Sequence, residues 1–183
     1  MIYTYDRRRE ASPDGNHPIV RKYREDLARL GLEVRDVYSD PEIVPMDPAE
    51  RSKLDMGPDI EGLPAVRPGT VGYITVSRPV RDEQLSEGCL ADLQALRKKL
   101  RKKRLGVQHV TYVQIRSDFK NKGLGKILYE IALYNAADGV GTGSPHALIP
   151  SSCLGTPTSG EADRVWKSLT RRYPSIGNVV FYK

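Results

Sequence analysis

Apolar positions recur along this chain with two periods, and the alternation between them sets out the elements. Residues 2–5 alternate apolar and polar and suit a short strand. The turn cluster 14–17 and Pro18 lead into a helix over 19–30, where Ile19, Val20, Tyr23, Leu27 and Leu30 recur at helical spacing and Gly31 ends it. Residues 39–69 are dense in proline, aspartate and glycine, so this stretch reads as loop with one helical turn at 48–54. A loop of that length usually covers a site or carries specificity. The run 71–77 (VGYITVS) is rich in β-branched and aromatic residues and reads as a strand. An amphipathic helix over 83–104 follows, its stripe made by Leu85, Cys89, Leu93, Leu96 and Leu100. A second strand over 107–116 leads to a helix over 121–137, and a further strand over 146–151 to the loop SSCLGTPTSG. Thr158 or Ser159 caps a helix running to 172, with Glu161 in its favourable first turn, and 177–182 closes as a strand. There are no internal repeats. Strands and helices alternating in this way define an α/β or α+β protein with a mixed sheet.

With 183 residues, 39% of them hydrophobic, the chain suits one globular domain. No apolar run approaches the roughly 18–20 residues needed to span a bilayer. The start, MIYTYDRRRE, has no apolar stretch of the kind a secretory signal needs. The expected location is therefore a reducing cytoplasm, with Cys89 and Cys153 as free thiols. Neither cysteine makes a metal-ligand spacing with a histidine, so no metal site is expected.

The formal net charge is +6, and most of it comes from one run: Arg97, Lys98, Lys99, Arg101, Lys102, Lys103 and Arg104. Three readings of that run stand side by side: a solvated helix face, a surface for an acidic protein, and a surface for nucleic acid. No aromatic residue is interleaved, which removes stacking on single strands.

The informative unit is HVTYVQIRSDFKNKGLGKILYEIALYNAA, a strand, a short polar turn, two glycines and a helix. Gly123 and Gly125 stand where the helix begins, so no side chain shields the backbone N–H groups there. Those N–H groups and the positive end of the helix dipole form an anion site suited to a pyrophosphate. Lys120, Lys122 and Lys126 surround it. A P-loop needs a longer turn ending in Gly-Lys-Ser/Thr, and a dinucleotide fingerprint needs a third glycine where Leu128 stands.

This segment resembles motif A of the GNAT superfamily of N-acetyltransferases, Gln/Arg-x-x-Gly-x-Gly/Ala after a strand. Here it reads Lys120-Asn121-Lys122-Gly123-Leu124-Gly125, with lysine at the usual Gln/Arg. The later segment SGEADRVW is similar to the family's Asn-x-x-Ala-x-x-x-Tyr helix, with Ala162 matching and Ser159 and Trp166 substituted. The resemblance covers about residues 70–183, and its Ser/Trp variant looks like GNAT proteins of bacteriophages, which implies a host cytoplasm. It implies a mixed, mostly antiparallel central sheet flanked by helices in a single 1–183 domain. Within that domain, 1–70 would supply an N-terminal helix and long loop, and 71–183 the acetyl-CoA-binding core. It also implies that Val113, Gln114 and Ile115 pair through their backbone with the pantetheine arm of acetyl-CoA.

The departures concern catalysis. The strand over 107–116 carries no Asp or Glu for the family's usual base, and Trp166 stands where the family has a tyrosine acid. An indole N–H cannot donate a proton in catalysis, which points Trp166 to packing or cofactor lining. His109 has a suitable intrinsic pKa for taking a proton from an ammonium, and shares a strand face with Thr111, Val113 and Ile115. Tyr173 is the candidate acid. A Cys153–His146 relay lacks an acidic orienting partner, which leaves direct transfer as the preferred route.

The leading expectation is an acetyl-CoA-dependent N-acetyltransferase working by direct transfer in a ternary complex. Its acceptor would be a primary amine on an acidic macromolecule, protein lysine ahead of a modified nucleobase. One alternative is a catalytically weak GNAT-fold protein that binds a partner through the basic helix as inhibitor or adaptor. Another is a small-molecule amine acetyltransferase, its acidic pocket drawn from Asp40, Glu42, Asp47, Glu50, Asp55 and Asp59.

Overall fold

The computed structural model describes residues 16–54 and 67–182. The expected strand at 2–5, and Asp55 and Asp59, lie outside them. Among the described residues the α-helices are α1 (Pro18–Lys22), α2 (Arg24–Arg29), α3 (Pro48–Ser52), α4 (Glu87–Leu100), α5 (Leu124–Asp138) and α6 (Gly160–Arg172). The strands are β1 (Leu32–Arg35), β2 (Glu42–Pro45), β3 (Gly72–Val76), β4 (Gly106–Ile115), β5 (His146–Ile149), β6 (Ser175–Ile176) and β7 (Val179–Val180). They hydrogen-bond in the order β1-β2-β3-β4-β5-β7-β6. The β4–β5 pair is parallel, while β1–β2, β2–β3, β5–β7 and β6–β7 are antiparallel. The architecture is thus the mixed, mostly antiparallel sheet with helices that the sequence led us to expect. No helix among the described residues is long and apolar enough to cross a membrane.

The chain divides into two compact units, Met1–Tyr73 with Gln114–Ile131, and Ile74–Val113 with Ala132–Lys183. In the first, β1 and β2 form a hairpin in register Leu32↔Pro45 through Arg35↔Glu42. Leu32, Val34, Ile43 and Val44 bury their side chains. Neither strand was expected, because each is only four residues long and β2 lies in the proline-rich stretch. The helix expected over 19–30 is broken at Tyr23, whose backbone (φ −105°, ψ 10°) ends α1. Its hydroxyl donates to Glu130 at 2.9 Å, and Lys22 Nζ reaches the same carboxylate at 2.7 Å. Glu130 is fully buried on α5, so this pair of donors offsets a desolvation cost of several kcal/mol.

Acidic residues of the 39–69 stretch serve the fold. Asp47 caps α3 by accepting from Ala49 N at 2.8 Å, and Glu50 pairs with Lys53 at 2.6 Å. Arg67 pairs with Asp40 at 3.4 Å and lies 3.8 Å from Glu42. Burial and then the nearby Asp36 push the Glu42 carboxyl above the usual range, against the opposing pull of Arg67.

In the second unit the core joins Leu85, Leu93 and Leu96 to Val107, Ala147, Ile149, Val179 and Phe181. Leu93 and Leu96 are fully buried, each contributing about 1.5–3 kcal/mol. Cys89 and Cys153 are joined by a disulfide across a separation of 64 residues. This corrects the expectation of two free thiols: the stripe of α4 and the turn after β5 meet edge to edge, and the sulfurs face each other. The Ser86 amide also donates to the Cys153 carbonyl at 2.9 Å. The Cys153–His146 relay is excluded with it.

The helix expected to reach residue 104 ends at Leu100. Arg101 takes a left-handed conformation (φ 56°), and Lys102 N returns to the Arg97 carbonyl at 3.0 Å while Arg101 N reaches that of Lys98 at 3.2 Å. This is a Schellman ending with arginine where glycine usually stands, which is why composition did not reveal it. The basic run therefore occupies the last turn of α4 and the connection to β4. Arg97 is spent on the fold: its guanidinium grips Asp82 at 2.6 and 3.0 Å, and its Nε donates to the Leu105 carbonyl at 2.9 Å.

Candidate active site

Strand β4 is paired with β3 from one side, as Arg116 N donates to the Val71 carbonyl at 2.8 Å and Val80 N to that of Val107 at 2.8 Å. On its other side the ladder with β5 ends at His109↔Ile149. The sequence explains the end: Pro150 has no amide hydrogen to continue the ladder, and the Ser151 hydroxyl takes up the Val110 carbonyl at 3.0 Å. Residues 151–154 then turn away as a short 3-10 helix. Within the second unit β4 runs on through Val113 with no further β5 pairing. Val113, Gln114 and Ile115, the expected pantetheine partners, are the last three residues of β4.

After β4, residues 117–119 make one 3-10 turn, and the chain enters α5 through Lys120, Asn121, Lys122 and Gly123. Asn121 (φ 62°) and Gly123 (φ 78°) both take the left-handed conformation, one that asparagine and glycine tolerate best. The helix was expected from 121 and begins at Leu124. Leu124 is buried, anchoring the first turn from below. A side chain built on Gly123 or Gly125 would meet nothing within 4 Å. These glycines are thus not required by packing, and the first-turn amides beside them have no intrahelical acceptor. Lys122 Nζ lies 4.7 Å from the Phe119 ring centre and Lys126 Nζ 5.7 Å from that of Tyr23, while Lys120 is exposed.

His109 is half-buried on β4. Its amide donates to the Ser77 hydroxyl at 3.1 Å and its carbonyl accepts from Ser77 N at 2.9 Å. Its Nδ1 is shielded and has no hydrogen-bond partner among the described residues. Burial lowers its pKa below the ordinary histidine value, so the ring is neutral at pH 7 and able to accept a proton. Ser77 and Ser151 fix the backbone at His109 and Val110; from the sequence Ser77 has no assigned role, while Ser151, after the fifth strand, is expected near the acyl end of the cofactor. A serine directly after Pro150 at a strand end was the available signal.

Tyr173 follows the last residue of α6, and its ring packs at 4.9 Å against Tyr182, which in turn meets Tyr134 at 5.5 Å. Trp166 is buried, 4% exposed, in keeping with a packing role. Ser159 caps α6 by accepting from Ala162 N at 3.2 Å, so the segment that carries the second part of the resemblance is a helix start. Among the described residues no group of three or more His, Cys, Asp or Glu side chains is placed to hold a metal ion.

No family model matches the chain, and no curated protein matches it. Two solved structures resemble it over most of its length. One is AtaT complexed with acetyl-methionyl-tRNAfMet, at 16% identity and a TM-score of 0.44, with 91% of this chain and 76% of that one covered. The other is a tyrosine-to-phenylalanine mutant of KacT, at 14% identity and a TM-score of 0.40, with 91% and 77% covered.

Proposed function

We propose that this protein is an acetyl-CoA-dependent N-acetyltransferase of GNAT type, acting on a primary amine by direct transfer. The observation that carries the reading is the course of β4: it outruns β5 and enters a turn whose two glycines face open space at the start of α5. That arrangement suits a ligand with an extended amide-bearing arm and a pyrophosphate. Val113, Gln114 and Ile115 would pair with the arm. The amides from Gly123 to Lys126 would take the pyrophosphate oxygens, and Lys120, Lys122 and Lys126 would add attraction. Bound there, acetyl-CoA supplies an acetyl group activated as a thioester. His109 is the group on β4 able to take the acceptor's proton, because burial keeps it neutral. Holding the amine in place supplies much of the remaining acceleration, so the lack of a strand carboxylate and of a tyrosine at position 166 does not remove the activity.

Calorimetry with acetyl-CoA tests the reading. Saturable binding that Gly125→Glu abolishes is the expected result, followed by CoA release in a screen of amine acceptors. His109→Ala should lower kcat more than it changes acetyl-CoA affinity. Equal affinity in Gly125→Glu and the parent would remove the proposal. Binding without any CoA release would favour the adaptor alternative.

A further inference from the structure

We infer that two basic segments of the second unit form one docking surface for the phosphodiester backbone of a nucleic-acid duplex. The first is the run 98–104, and the second is the exposed face of α6. On α6, Arg164, Lys167 and Arg171 recur at helical spacing and line an open groove with Ser168 and Arg172, while Trp166 and Leu169 bury the opposite face. The need to offset the helix dipole explains Arg171 and Arg172 in the last turn, but not Arg164 or Lys167. The segment that closes α6 is where the first run docks. Lys99 Nζ donates to the Ser175 carbonyl at 3.3 Å, and Lys102 Nζ lies 4.2 Å from the centre of the Phe181 ring. That segment is itself tied to the end of α6, since the Ser175 hydroxyl donates to the Thr170 carbonyl at 2.9 Å and Phe181 N to that of Pro174 at 2.9 Å. Residues far apart in sequence thus present their charges around one short stretch of chain. The carboxylates of α6, Glu161 and Asp163, stand at its far end, and Asp163 pairs with Lys167 at 2.7 Å.

The chemistry of this surface separates a polyanion from a protein partner. Protein interfaces have an apolar or aromatic centre, whereas nucleic-acid interfaces are polar and strongly positive. The large hydrophobic residues exposed among the described residues are Leu30 and Met46, both in the other unit. What the surface offers is guanidinium, ammonium and the Ser168 hydroxyl, the donors that phosphate oxygens accept. No exposed ring stands among them for base stacking, so recognition follows the backbone and is independent of sequence. The inference does not depend on acetyl transfer.

Fluorescence anisotropy with the full chain tests it, using a short labelled DNA duplex, an RNA duplex of the same sequence, and polyglutamate as competitor. Arg164→Gln/Arg171→Gln alters α6, and Lys99→Gln/Lys102→Gln alters the run. Each pair should weaken duplex binding roughly tenfold and flatten the salt dependence by about two counterions on DNA. The melting temperature of the exposed α6 pair should fall by no more than the loss of one last-turn helix charge allows. The duplex bound more tightly identifies whether the backbone is DNA or RNA. Parent-like affinity and salt slope in both paired variants would overturn the surface, and an effect confined to one pair would overturn its continuity. Polyglutamate competing as well as duplex, charge for charge, would assign it to an acidic protein instead.

Discussion

The ring of His146 occupies the space where a side chain on Gly106 would begin. A Cβ built on Gly106 would lie 2.5 Å from His146 Cδ2 and 2.6 Å from Nε2. The two residues are register partners at the start of the parallel β4–β5 pair, and the ring cannot withdraw freely because Nδ1 is held 2.6 Å from the Ser144 carbonyl. Gly106→Ala should therefore destabilise the protein by about 1–3 kcal/mol through overpacking. In a His146→Ala background the same change should cost far less. Urea unfolding of the four proteins of this cycle gives the coupling, and additive effects would show that the contact is not the cause.

The Cys89–Cys153 link closes a long loop, so its loss should be felt in stability. At a sequence separation of 64, the chain-entropy account gives about 4 kcal/mol for removing it. Cys153→Ser and reduction of the parent should lower the melting temperature alike, and the air-oxidised parent should show no titratable thiol when unfolded without reductant. Two thiols titrating under those conditions would restore the reading of free cysteines.

Much of this was legible before the structure. The long β4, α5 and the capped α6 announced themselves through periodicity, glycine and Ser159. What stayed hidden has identifiable physical causes. β1 and β2 are too short to show a period, and β2 is hidden among prolines whose extended backbone suits a strand end. The stop of α4 depends on Arg101 adopting a left-handed conformation for which it has no intrinsic preference. Glu130 was passed over because a carboxylate on the buried face of a helix is explained only by donors that arrive from Lys22 and Tyr23, far away in sequence. The site shows the same division. The glycine turn is local and could be read, whereas the end of β5 beside Val110 is a relation between two strands and could not.

Acid should destabilise the fold in a defined window. Burial holds His109 and His146 below the ordinary histidine value near 6.5, for His146 against an opposing hydrogen bond to Ser144. As the pH falls through 6.5, the unfolded chain takes up protons before the folded one does. Stability present above that pH is therefore lost on acidification, until the lower folded values are passed. The melting temperature should fall between pH 7.5 and 5.5, and His109→Gln should flatten part of that slope. A slope identical to the parent's would show that His109 does not titrate in this window.

Gly125 offers a case in which stability and binding are expected to move in opposite directions. It lies in the first turn of α5 with no left-handed φ to protect, and a Cβ there would touch nothing within 4 Å. If the residue served only the fold, alanine would be preferred, because glycine costs a helix about 0.5–1 kcal/mol relative to alanine. Gly125→Ala should accordingly raise the stability of the ligand-free protein by about that amount. Gly125→Leu should also raise it, leucine being a good helix former. Its longer side chain would stand over the first-turn amides proposed to take the pyrophosphate, whereas the alanine that the motif also admits there would leave them open. Acetyl-CoA affinity should therefore fall in Gly125→Leu, and with it the stabilisation that saturating acetyl-CoA confers. Gly123→Ala should behave differently. At φ 78° it imposes backbone strain of about 1–2 kcal/mol, so both stability and binding should drop. Thermal melts of the parent and the three variants, with and without acetyl-CoA, measure all of this together. A Gly125→Leu protein that is stabilised and still binds acetyl-CoA like the parent would place the pyrophosphate elsewhere.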